Sequence, residues 1–188
     1  MNLFKLTFSV FLIFFAACNS PKEKAATISE PNEIKNAQKN ILDSLFLWDV
    51  EDFPKGRMMY LDVPYTVDGK KEYLTLTVAK ETSNQRPSFI SVIVPNDLSD
   101  SKIMEIVFTN NTYSISQTVY ANLDKCKDDF CAFRMNNAYA VDKANNQVDV
   151  IRNFLKYDEV YFNFEHKNGL KSSVSVPLFS FKEQYKSR

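Results

Sequence analysis

Cysteine and histidine are the side chains that proteins commonly use for nucleophilic, redox and soft-metal chemistry. This chain of 188 residues has only three cysteines and one histidine. Cys18 directly follows two alanines near the N-terminus, whereas Cys126 and Cys131 are separated by four residues. The histidine, His166, lies between two charged residues. A Ser-His-Asp arrangement or a His-ligated metal would therefore have to use His166.

The residues before Cys18 predict a secretory signal peptide over residues 1–17. Lys5 precedes an apolar run over 6–15, and Ala16-Ala17 then supply the small residues of a cleavage site. The junction ending at Cys18 resembles the bacterial lipobox, in which the cysteine is linked to diacylglycerol. We predict that Cys18 carries the lipid and anchors the protein in a membrane, because two or three acyl chains hold a protein there durably. The alternative is an ordinary signal peptide with an incidental cysteine.

The composition indicates where the anchored protein lies and what it does not bind. Lys plus Arg and Asp plus Glu number 23 each, and removal of Lys5 with the signal peptide leaves 22 basic against 23 acidic residues. No basic field is present to attract nucleic acid, so no nucleic-acid partner is predicted.

The residue after Cys18 bears on which membrane holds the protein. An Asp at this position often retains a lipoprotein in the inner membrane, so Asn19 favours the outer membrane. Whether the domain faces the periplasm or the cell surface stays open.

Cys126 and Cys131 are predicted to form a disulfide. Secretion puts the chain in an oxidising compartment, and two cysteines remain once Cys18 is assigned to the lipid. So short a ring contributes only about 2 kcal/mol and mainly fixes the turn between the two cysteines. The alternative is a redox dithiol, which is disfavoured because the spacing is not Cys-x-x-Cys and acids lie nearby.

The remaining candidate residues predict no catalytic, metal or cofactor site. His166 falls at a hairpin tip, where a solvated side chain is expected. The acids of the loops lack the regular spacing of a calcium loop, and the glycines are too isolated for a phosphate-binding loop. The aromatic residues of the strands are interpreted as core, with a sugar or peptide groove as the alternative.

The elements that must position these residues are mainly strands. Residues 18–33 have the composition of a flexible tether, and apolar residues at helical spacing predict a helix from Ile34 to about Leu47. Alternating apolar residues then predict strands, with Asp68-Gly69 and Asn168-Gly169 as hairpin turns and one brief helix near 148–155. The strands are expected near 59–65, 74–78, 90–95, 104–108, 113–120, 131–135, 160–164 and 174–178. We predict an all-β fold, an immunoglobulin-like antiparallel β-sandwich with an added N-terminal helix, in a single domain over 34–188.

The C-terminal half resembles a known family. The spacing of the two cysteines, the brief helix, the strand at 160–164, Asn168-Gly169 and the run 174–181 with Tyr185 are similar to the invasion-associated locus B family of secreted bacterial proteins. The resemblance covers roughly residues 88–185 and departs from the family in lacking a second cysteine pair. It implies an immunoglobulin-like sandwich of the cell envelope, associated with host invasion, without catalytic residues.

These observations predict a lipid-anchored, non-enzymatic protein of the cell envelope that acts in interaction or adhesion with a protein partner. The alternative is an envelope carrier or enzyme that binds a small lipid or sugar. A large apolar cavity would favour the carrier, whereas a solidly packed interior would favour the interaction module.

Overall fold

The computed structural model describes residues 46–54, 56–81, 87–100, 102–110 and 116–186. The predicted signal peptide, the lipidated Cys18, the tether and nearly all of the predicted N-terminal helix lie outside these residues. The last two positions of that helix, Phe46 and Leu47, are described and are not helical.

The described residues form eleven strands and two short helices. The first strands are β1 (Asp49–Phe53), β2 (Gly56–Val67), β3 (Lys70–Glu81), β4 (Pro87–Pro95), β5 (Ile103–Thr109) and β6 (Ser116–Lys127). The remaining elements are β7 (Phe130–Asn136), β8 (Tyr139–Val141), β9 (Gln147–Asp149), α1 (Val150–Lys156), β10 (Glu159–Glu165), β11 (Lys171–Pro177) and α2 (Phe179–Lys186). The prediction of an all-β fold is confirmed.

The strands follow one antiparallel path in the order β1-β2-β3-β4-β7-β6-β5-β10-β11, with β8 joining β6 to β9. The predicted two-sheet sandwich is not confirmed, because this path is continuous and curls into a half-barrel. The long strand β6 makes the connection: its first half pairs with β5 and its second half with β7. The pairing with β7 shifts between Leu123 and Lys125, and such a bulge bends the strand that carries it.

The two predicted hairpins are present, but their turns differ. Asp68 and Gly69 both adopt positive φ, 50° and 71°, as a two-residue type I′ turn requires. The second hairpin instead has a five-residue loop between Glu165 and Lys171, and only Gly169 has positive φ. The side chain of Asn168 accepts a hydrogen bond from the Leu170 amide at 3.1 Å, which stabilises this wider loop.

The core lies on the inner face of the curled sheet. Alternation along β10 and β11 buries Val160, Phe162, Phe164, Val174 and Val176, and the following Leu178 is buried with them. The strand β11 ends the path, which is a position that tolerates Pro177 because proline cannot donate a ladder hydrogen bond, and β2 lies close to it.

The C-terminal helix α2 was not predicted. It buries Phe181 and Tyr185, and the Phe181 ring lies 5.1 Å from Trp48 and 5.2 Å from Phe154. The brief helix predicted near 148–155 is present as α1, where the Asp149 carboxylate caps the first turn by accepting from the Arg152 amide at 2.9 Å. Neither helix is long and apolar enough to cross a membrane.

Candidate functional site

Four loops converge at one end of the half-barrel, which we call the loop end. They are the β2–β3 turn, the β4–β5 connection, the β6–β7 turn and the β10–β11 loop, and together they line an open recess of about 370 Å³. The lining of the recess is acidic, because it includes five carboxylates and one lysine, Lys70. The carboxylates are those of Asp68, Glu72, Asp97, Asp128 and Asp129, and Lys127 lies 3.9 Å from that of Asp128.

His166 is buried beside this recess, so the prediction of a solvated side chain was wrong. The residue is only 1% exposed, and its Nδ1 lies 2.7 Å from Oδ2 of Asp97. Its Nε2 lies 2.7 Å from Oγ of Ser172. The signal was present in the sequence: the alternation that turns Phe162 and Phe164 inward also turns His166 inward.

The three side chains form a chain of acid, imidazole and hydroxyl. The pattern that satisfies both ring nitrogens has Nδ1–H donating to Oδ2 of Asp97 and Nε2 accepting from the Ser172 hydroxyl, and it leaves the buried Oδ1 of Asp97 without a partner in the described structure. These are the groups and the order of a serine-hydrolase triad. The recess, however, is lined by Asp97 and not by Ser172, which is 8% exposed within the edge strand. A molecule in the recess would therefore meet the carboxylate, with the imidazole between it and the hydroxyl.

The hydrogen bond between His166 and Asp97 joins the β10–β11 loop to the β4–β5 connection. The Lys167 amide donates to the Asp97 carbonyl at 2.6 Å, and the Ser99 amide donates to the Glu165 carbonyl at 2.8 Å. An isolated bridge between Leu98 and His166 continues the pairing. Because backbone and side-chain contacts act together, Asp97 is held in one position at the edge of the recess.

The disulfide turn forms the next wall of the recess. Cys126 and Cys131 face each other across β6 and β7 and are bonded, in agreement with the predicted pairing. The turn between them contacts Asn96, whose amide donates to the Asp129 carbonyl at 3.0 Å and whose Nδ2 donates to the Asp128 carbonyl at 2.7 Å. The covalent ring thus positions two of the five carboxylates.

Tyr65 packs behind the imidazole. Its ring meets Phe164 edge-on at 5.7 Å between centroids, and its hydroxyl is buried without a hydrogen-bond partner in the described structure. Burial raises the pKa of the Tyr65 hydroxyl, and the negative charges of Asp97 and Glu72 raise it further. The phenol therefore stays neutral at physiological pH.

Among the residues that the structure describes, no three His, Cys, Asp or Glu side chains converge closely enough to hold a metal ion. The comparisons with known proteins identify no relative: no protein-family model, no curated protein and no solved structure matches the chain.

Proposed function

We propose that this protein is a lipid-anchored component of the bacterial cell envelope that binds another protein and performs no chemistry on it. The packing of the interior supports this proposal. A carrier needs a concave, largely apolar cavity of several hundred Å³. Here one continuous cluster of buried apolar side chains fills the inner face of the sheet, and Met59, Leu76, Phe108 and Phe162 are fully buried in it.

The loop end supports protein binding more than small-molecule capture. Loops on a rigid β scaffold are common binding surfaces. Three of these loops, the β4–β5 connection, the β6–β7 turn and the β10–β11 loop, are joined through His166 and Asn96, and the disulfide fixes the β6–β7 turn. A surface that is ordered before binding loses little conformational entropy when a partner docks. The recess is open and polar, which suits the rim of a protein interface.

The position of the protein in the cell is part of the same proposal. The lipid on Cys18 holds it in the outer membrane, and the tether over 18–33 places the domain away from the bilayer surface. The resemblance to the invasion-associated locus B family supports adhesion or host invasion as its role and an immunoglobulin-like sandwich as its fold. Contact between Tyr65 on β2 and Phe164 on β10 supports that sandwich, because the two residues come from different halves of the strand path.

Protein extracted from its own membrane shows whether the interior holds a ligand. Native mass spectrometry of the detergent-solubilised protein is expected to show the chain with its covalent acyl groups and no stoichiometric lipid or sugar. A single co-purified apolar ligand that survives washing would overturn the proposal in favour of a carrier.

An envelope hydrolase is the second candidate, because Asp97, His166 and Ser172 have hydrogen-bond distances suited to nucleophilic attack. A fluorophosphonate probe distinguishes the two. We expect no labelling of Ser172, since its hydroxyl does not face the recess. Labelling that disappears in both Ser172→Ala and His166→Ala would establish the hydrolase.

A further inference from the structure

The strand β1 forms the second edge of the sheet, and it is more accessible than β11. It pairs with β2 through five residue pairs, from Asp49 opposite Tyr60 to Phe53 opposite Gly56. Among the described residues, no strand pairs with its outer side. In an antiparallel pair every second residue directs its N–H and C=O away from the partner, so β1 presents backbone donors and acceptors outward.

The edge is fixed on its inner side. The Asp52 carboxylate accepts hydrogen bonds from Nε and Nη2 of Arg57 on β2, at 2.6 and 3.0 Å. The Phe53 ring lies over Gly56, where a Cβ atom would be only 2.7 Å from the ring. A strand held this way keeps its conformation when its outer side binds a partner.

The side chains of β1 favour one kind of partner. All five are exposed, including Val50 and Phe53 at 40% and 41%. Asp49 and Glu51 share one face of the strand, and in the described part of the chain no Lys or Arg nitrogen lies within 4.0 Å of either carboxylate. Strand edges that are protected against pairing usually carry lysine, whereas this edge carries only acids beside apolar residues.

A second copy of the chain is a poor partner for this edge. Antiparallel pairing centred on Glu51 would place the two Glu51 carboxylates directly opposite each other, and parallel pairing would align every acid with itself. Like charges directly opposite each other destabilise a strand pair. The charge of β1 is instead complementary to a basic strand.

We propose that β1 binds an extended, basic segment of a partner protein by strand addition, with lysine or arginine opposite Asp49 and Glu51 and an apolar residue opposite Val50. Main-chain hydrogen bonds supply affinity in this mode of recognition, and the alternate side chains supply specificity. The outer edge of β1 is separate from the recess at the loop end. An experiment can therefore contradict strand addition at β1 without contradicting partner binding at the loop end, and the reverse.

Three synthetic eight-residue peptides test the proposal by fluorescence anisotropy on the full chain. One alternates lysine with valine, one alternates glutamate with valine, and one alternates lysine with proline. The lysine–proline peptide has the same charge as the first but lacks half of its backbone donors. We expect the lysine–valine peptide to bind at least about tenfold more tightly than either of the others. Equal binding of the two lysine peptides would overturn strand addition.

Matched charge reversals locate the binding surface. Asp49→Lys with Glu51→Lys is expected to reverse the preference, so that the glutamate–valine peptide binds better. Asp128→Lys with Asp129→Lys makes the same charge change at the loop end and is expected to leave the preference unchanged. Loss of lysine–valine binding in the loop-end variant alone would assign the peptide to the recess and overturn the proposal. Hydrogen exchange on the unaltered protein gives a further check, since the bound peptide should slow exchange within residues 49–53.

Discussion

Replacement of His166 by alanine tests whether the buried acid–imidazole–hydroxyl chain stabilises the loop end. The substitution removes both hydrogen bonds of the ring and leaves the Ser172 hydroxyl buried without its partner. It also removes the ring from its contacts with Phe164, 5.3 Å away between centroids, and with Tyr65.

The expected loss follows from these contacts. A hydrogen bond to a charged group is worth about 1.5–3 kcal/mol and one between neutral groups about 0.5–1.5 kcal/mol. The Asp97 side chain is 48% exposed, so water can solvate it after the substitution and the lower value applies to that bond. With the cavity left by the ring, we expect His166→Ala to lower the free energy of unfolding by about 3 kcal/mol.

The assay is urea unfolding followed by circular dichroism, with a matched serine pair as control. Ser172→Ala, inside the chain, should cost about 1 kcal/mol. Ser173→Ala, on the exposed outer face of the same strand, should change the free energy of unfolding by less than about 0.5 kcal/mol. If His166→Ala unfolds at the same urea concentration as the wild type, the chain does not stabilise the loop end and the reasoning fails.

Three further predictions concern the anchor, the disulfide and Tyr65. Mass spectrometry should find Cys18 acylated as the first residue, and Cys18→Ser should move the protein from the membrane to the soluble fraction. Alkylation of the unfolded, unreduced protein should label neither Cys126 nor Cys131, and reduction should lower the free energy of unfolding by about 2 kcal/mol. The raised pKa of Tyr65 implies stability that is complete below pH 10 and is lost as the pH rises above that value, because the unfolded chain ionises first. Tyr65→Phe should therefore make the fall in stability above pH 10 less steep, as measured by urea unfolding at successive pH values.

Local patterns were sufficient for eight of the eleven described strands, whereas β1, β8 and β9 were not predicted. Alternation located β10 and β11 because one face is core along their whole length, and Asp68-Gly69 located a turn because both residues tolerate positive φ. Strand β1 was missed because its five residues are all exposed and show no alternation. Helix α2 was missed because its helical conformation depends on burial of Phe181 against Trp48, more than 130 positions earlier.

The candidate site depended on long-range contacts. His166 could have been placed inside by extending the alternation of β10 by one step, but its partner Asp97 lies 69 residues away in a loop without regular spacing. The curl of the sheet likewise depends on the bend in β6, which bulge geometry produces and composition does not reveal. Sequence reasoning thus located the disulfide and not the recess beside it.

Photo-crosslinking in living cells tests most directly whether the loop end binds a partner. A crosslinking amino acid in place of Asn168 reaches into the recess, whereas the same group in place of Arg152 lies on α1, at the opposite end of β10 from His166. If the loop end binds a partner, position 168 gives a discrete membrane-associated adduct that is absent from position 152 and is weakened by Asp128→Asn with Asp129→Asn. Equal adducts from both positions would contradict partner binding at the loop end. So would an adduct from position 168 whose yield does not change when Asp128 and Asp129 are both replaced by Asn.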